Sequence, residues 1–128
     1  MMDIRALVQT ALDTALYSDG VYVYWLRKSD ETDPDEYVVY TLDGDPVGAY
    51  ADGDPLTRNA NASIRYYYRD SMLNSSAGKA AIKARETQIA AALTGAGFTL
   101  PNGYFDSGDI DDIGFGTTIF EAYYSRVT

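Results

Sequence analysis

Residues 62–70 read Ala-Ser-Ile-Arg-Tyr-Tyr-Tyr-Arg-Asp. In a strand, successive side chains point to opposite faces, so Ile64, Tyr66 and Tyr68 fall on one side. Arg65, Tyr67 and Arg69 fall on the other. This predicts a strand with one buried face and one amphipathic face, on which arginine and tyrosine keep their polar ends wet. A sheet built on it needs a cover for the Ile64 side. Residues 77–94 supply one. They are alanine-rich, carry Ile82, Ile89, Ala92 and Leu93 on one side, follow the capping run Asn74-Ser75-Ser76, and end at Gly95 and Gly97.

A second cover lies upstream. Ile4, Leu7, Val8, Ala11, Leu12, Ala15 and Leu16 recur at helical spacing, which predicts a helix over about 3–17. Asp3 fits its N-cap, and Ser18-Asp19-Gly20 its stop. Val-Tyr-Val-Tyr-Trp-Leu at 21–26 and Glu-Tyr-Val-Val-Tyr-Thr-Leu at 36–42 are β-branched and aromatic, hence two more strands. The charged segment 27–35, with Pro34, is a loop between them. Asp43-Gly44-Asp45-Pro46 recurs as Asp52-Gly53-Asp54-Pro55, two turn signals around a short extended piece near Val47 to Tyr50. Downstream, a short strand is expected at Tyr104-Phe105, an acidic Gly-rich loop from Asp106 to Gly116, and a last strand over 117–126. The expectation is one α+β domain spanning residues 1–128. Its order is α-β-β-β-α-β-β, with a largely antiparallel sheet of four to five strands and both helices on one face.

The 128 residues include 19 acidic and 10 basic ones, for a net charge of −9, and no cysteine or histidine. Disulfides, thiolate zinc sites, cysteine nucleophiles and histidine bases are excluded. Ordinary nucleic-acid binding is disfavoured, because the electrostatic term repels phosphate. The imbalance has an address. Asp30, Glu31, Asp33, Asp35, Glu36, Asp43, Asp45, Asp52 and Asp54 lie in one window without a Lys or Arg, and the rest of the chain balances. Acidic residues at Asp3 and Asp13 interrupt the N-terminal segment, so no secretory signal is expected, and no apolar run reaches the roughly 20 residues of a membrane span.

No complete catalytic motif emerges. An EF-hand counted from Asp109 has Asp109, Asp111 and Gly114 in place, but Ile113 and Phe120 stand where ligands belong. Counted from Asp43, Val47 stands at a ligand position and Pro46 intervenes. No metal, no cofactor and no enzymatic activity are therefore expected. Twelve tyrosines are several times ordinary usage, and most fall on strands. A sheet covered on one side buries half of them. The other face is expected to show Tyr, Trp25 or Leu26 beside Arg65 and Arg69, a composition typical of interface cores.

Four segments together resemble the tail-terminator and tail-completion proteins of long-tailed bacteriophages. They are Asp3-Ile-Arg-Ala-Leu-Val-Gln-Thr-Ala-Leu, Pro34-Asp-Glu-Tyr-Val-Val-Tyr, Arg65-Tyr-Tyr-Tyr-Arg69 and Ile119-Phe-Glu-Ala-Tyr-Tyr. The resemblance implies a structural virion protein made in the bacterial cytoplasm. It would form a homo-oligomeric ring, typically a hexamer, that caps the tail tube. It would contact the major tail tube protein and the head-completion or connector protein, with DNA passing through the lumen unbound and no membrane involved. A closed ring needs two complementary patches per subunit. The candidates by sequence are an acidic patch of Asp43, Asp45, Asp52 and Asp54, and a strand patch of Arg65, Tyr67 and Arg69. An acidic lumen would let DNA slide. The alternatives are an acidic DNA-mimic inhibitor of a host nuclease and another neck or minor capsid component of the same fold.

Overall fold

The computed structural model describes residues 4–30, 32–44 and 57–127. Helix α1 (Ile4–Leu16) is followed by a 3-10 turn and strand β1 (Tyr22–Trp25). Strand β2 (Glu36–Gly44), strand β3 (Thr57–Arg69), helix α2 (Ser76–Gly95), strand β4 (Tyr104–Ile110) and strand β5 (Phe115–Val127) come next. The fold is α+β, in the expected order. The five strands form one sheet, β1-β2-β3-β5-β4, in which only the β1–β2 pair is parallel.

The α1 stripe falls every fourth residue, with Ile4, Val8, Leu12 and Leu16 all buried. α2 buries Ile82, Ile89 and Leu93. Both stripes join one core with Val23, Val38, Tyr40, Ile64, Tyr66, Tyr68, Phe120 and Ala122 of the sheet. Each large apolar side chain so buried contributes about 1.5–3 kcal/mol. The Ile64–Tyr66–Tyr68 side of β3 is therefore the helix side, as the alternation predicts. Gly20 ends the α1 segment at φ 76°. Ser75 caps α2, its hydroxyl accepting from Gly78 N–H at 3.0 Å. Gly97, not Gly95, takes the left-handed conformation after α2.

A polar cluster fastens α2 to the sheet. The buried Tyr66 hydroxyl donates to Glu36 Oε1 at 2.5 Å, and Arg85 Nε donates to the same oxygen at 3.1 Å. Arg85 also pairs with Asp19 at 2.9 Å and donates to Gln88. Gln88 in turn donates to the Ala15 carbonyl at the end of α1. One arginine thus joins β2, α1's exit and α2, and shares its Glu36 partner with Tyr66 of β3. Tyr40, fully buried, donates to Gln9 Oε1 at 2.7 Å, and so ties α1 to β2.

Three boundaries differ from the sequence expectation. β2 runs through Asp43-Gly44, which reads as a turn, with a register shift between Leu42 and Gly44. β3 begins at Thr57 instead of 62 and pairs with β5 along its whole length. Polar residues 57–61 hide their strand character, because long-range pairing and not propensity holds them. The Asp106–Gly116 stretch, read as a loop, is β4 as far as Ile110, then a tight turn, then β5 from Phe115. Gly108 at φ 83° sits in a bulge between Asp106 and Ile110, so turn-forming residues lie inside a strand. The extended piece near Val47–Tyr50, Asp3 and the second Asp-Gly-Asp-Pro copy lie outside the described residues.

Two tests follow from packing and titration. At Gly78 a Cβ would fall on the Met72 carbonyl oxygen, a backbone atom with no room to yield. Gly78→Ala should cost about 1–3 kcal/mol in urea unfolding. Burial, and then the bond to Glu36, push the Tyr66 hydroxyl far above its ordinary value. A group raised in the folded state stabilises the fold below its unfolded pKa, about 10, and that contribution is lost as pH climbs above it. Thermal stability should therefore fall from about pH 10 upward, and Tyr66→Phe should blunt the fall while costing about 1 kcal/mol at pH 7.

Candidate functional site

Each face of the sheet has a different fate. On the side away from the helices, Tyr24, Tyr37, Val39 and Phe115 are buried, with Tyr67 packed against them. A sheet with one helical cover is expected to leave that side wet. The loop 26–35 is fastened to that side, where Asp30 accepts from the Tyr24 hydroxyl and Asp33 and Asp35 accept from Arg69. β1 and β2 are parallel, so the chain leaving β1 must travel back along the strand before β2 starts. Ten residues suffice, and they cross this second face.

Arg69 holds the loop down. Its Nη2 bonds Asp33 Oδ1 at 2.5 Å, its Nε bonds Asp35 Oδ1 at 2.8 Å, and its Nη2 reaches the Pro34 carbonyl at 3.2 Å. The same guanidinium lies 4.8 Å over the Phe115 ring. The hydrogen bonds it donates to Asp33 and then to Asp35 raise its pKa. Tyr67 stacks on Tyr37 at 4.8 Å and 14°, and Phe115 meets Tyr37 edge-on. Asp30 anchors the middle of the loop. Thr32, Tyr24 and Lys28 all donate to it, and those bonds, in that order, hold its carboxyl well below the usual carboxylate range. Burial, and then the Asp30 bond, push the Tyr24 hydroxyl up.

The sequence candidates therefore separate. Tyr67 and Arg69 are engaged inside the chain, while Arg65, one pleat along on the same face, is exposed. Asp43 lies on β2, where its side chain falls outside the described part, as do Asp45, Asp52 and Asp54 entirely. Trp25, expected on this second face, lies on the helix side at the β1 edge, where Arg5 of α1 stacks on it at 4.2 Å. It shares that side with Val23, two residues back, because the pleat alternates.

Two of the carboxylates of 106–112 bond backbone groups. Asp111 Oδ1 accepts from Ile113 N–H at 3.0 Å and from Phe115 N–H at 2.8 Å, which closes the β4–β5 turn. Asp109 Oδ1 accepts from Ile110 N–H. Among the described residues no group of three or more carboxylates is arranged to hold a metal ion.

What sequence reading missed is where the exposed apolar surface gathers. Tyr17, Tyr22, Trp25 and Leu26 are exposed around β1, and Tyr104, Phe105, Ile110 and Ile113 around β4. β4 is exposed at every residue. Its signal, the Tyr-Phe pair and two isoleucines, was diluted by Asp and Gly. Compared with known protein families and with curated proteins, the sequence matches none.

Arg69→Ala should release the loop 26–35. Exposed ion pairs contribute little, so global stability should drop only slightly, including the lost packing on Phe115. Amide exchange in residues 26–35 should quicken well beyond that in α1 and α2, as read by mass spectrometry.

Proposed function

We propose that the protein is a structural subunit of a bacteriophage virion, a tail terminator. It would assemble into a ring at the head-proximal end of the tail tube and join the tail to the head-completion proteins. The observation that carries this reading is the ten large apolar side chains that stand exposed among the described residues of a strongly acidic 128-residue chain. Where such side chains gather, as they do around β1 and around β4, they offer a surface to a partner. The α-β-β-β-α-β-β order and the sheet with both helices on one face also fit the resemblance noted in the sequence. No described helix is long and apolar enough to cross a membrane.

The nuclease-mimic alternative needs free carboxylates spread over a face. Four of the nine in the acidic window, Asp30, Asp33, Asp35 and Glu36, are ion-paired to Lys28, Arg69 and Arg85 within the chain. That leaves the mimic a smaller field to present. A neck component of the same fold differs from a terminator only in its neighbours, and the same test separates the two.

The protein should be mixed with a tail tube protein from the same source, while that protein is polymerising. A terminator stops growth, so mean tube length in electron micrographs should shorten as its concentration rises, with density added at one end. Tubes of unchanged length with bare ends would remove the terminator reading.

A further inference from the structure

The two free edges of the sheet are built differently, and the differences match. At the β1 edge, Arg5 lies over Trp25, and Arg27 follows exposed two residues later. Neither arginine has a carboxylate partner among the described residues. Between Trp25 and Arg27, Leu26 is 58% exposed at φ 71°, in a tight turn closed by Arg27 N–H to the Trp25 carbonyl at 2.8 Å. A leucine in that left-handed region is strained. No burial inside the chain offsets that strain. At the β4 edge, Phe105, Ile110 and Ile113 are exposed, with Asp106 and Asp112 exposed among them. Around Trp25 and Leu26 the β1 edge is apolar and basic, with Asp13 and Asp30 at its other end beside Tyr22–Tyr24, whereas the β4 edge is apolar and acidic.

Four strand spacings of about 4.8 Å separate the edges by about 19 Å, so they cannot satisfy each other within one chain. Direct strand addition is obstructed at both. The Gln9 amide donates to the Val23 carbonyl at 3.2 Å on β1. The bulge at Gly108 and the Asp106 and Asp109 carboxylates break the line of β4. Contact has to run through side chains.

We infer that the β1 edge of one copy docks on the β4 edge of the next, Arg5, Arg27, Trp25 and Leu26 meeting Phe105, Ile110, Ile113, Asp106 and Asp112. The partner is a second copy of this chain, because both halves of a complementary pair are present on one subunit. A contact between unlike patches on opposite edges is head-to-tail, and it propagates to a ring or a filament instead of a two-fold dimer. The inference deepens the self-assembly part of the proposed function and names its surface. It makes no use of Arg69 or Tyr67, which are occupied internally.

Charge exchange tests it. In one variant Arg5→Glu and Arg27→Glu make both edges acidic; in the other Asp106→Lys and Asp112→Lys make both basic. Size exclusion with light scattering should find the wild type oligomeric, more so at low salt. Each variant alone should be monomeric, with association weakened about a hundredfold or more by like-charge contact. An equimolar mixture should reassemble, because each variant then meets the other's opposite charge. Reassembly also shows that both variants are folded. Variants that assemble as well as the wild type overturn this surface and leave self-assembly standing. Monomeric variants that stay monomeric when mixed overturn the pairing. A wild type monomeric at every concentration overturns the inference outright, while tube capping remains decided by its own assay.

Discussion

The parallel pairing of β1 with β2 is the constraint from which most of the rest follows. Antiparallel neighbours are joined by a turn at one end, but parallel neighbours need a connection that runs the length of the strand. In most sheets of this kind a helix makes that return. Here the loop 26–35 makes it, on the face opposite the helices. An irregular segment laid on a sheet brings its own backbone polar groups and carboxylates to an apolar surface. It stays there only if those groups find partners. Arg69 supplies them at one end and the Lys28–Asp30–Thr32–Tyr24 cluster in the middle. The aromatic set of Tyr24, Tyr37, Tyr67 and Phe115 lies on the same face. The helix-side core can then be ordinary, with regular stripes on α1 and α2 and one polar cluster around Arg85.

Most elements were legible where hydrophobic period and local propensity agree. The α1 stripe and the alternation from residue 62 each obey one period, the runs at 21–26 and 36–42 are β-branched and aromatic, and each holds the element it reads as, with β1 narrowed to Tyr22–Trp25 and β3 ending at Arg69. The failures lie where pairing overrides composition. Asn59, Ala60 and Asn61 have no strand signature, yet they are in register with Ser125, Tyr124 and Tyr123. Asp106-Ser-Gly-Asp109 reads as a loop because a bulge needs the residues that a loop needs. The parallel direction of β1 was not legible either, since no residue type distinguishes a strand that runs one way from a strand that runs the other.

The candidate site was legible by composition but not by position. Arginine beside tyrosine does mark a contact surface on the second face, but for Arg69 and Tyr67 the surface contacted is the chain's own loop. Sequence distance hid this, as Asp33 and Asp35 lie more than thirty residues upstream of Arg69. The exposed apolar surface was displaced to the two sheet edges, where single aromatic and aliphatic residues sit among charges and turn formers. Acidity, the most conspicuous number in the composition, likewise divides. Part of the charged window holds the loop in place, and the exposed acid at β4 comes from outside that window.

The position of β5 has a consequence for how the chain reaches this structure. β5 follows β3 and β4 in sequence but lies between them in the sheet. During synthesis β3 therefore has β2 on one flank and nothing on the other, and β4 has no strand partner at all, until β5 leaves the ribosome. Thr57 then closes on Val127 across the whole of α2 and β4. Closing a loop of that size has an entropic cost that local contacts do not recover, so the sheet is completed late and in one cooperative step. Until then the chain is a helix-bearing fragment with an unpaired, tyrosine-rich strand, the species most exposed to association with the wrong neighbour.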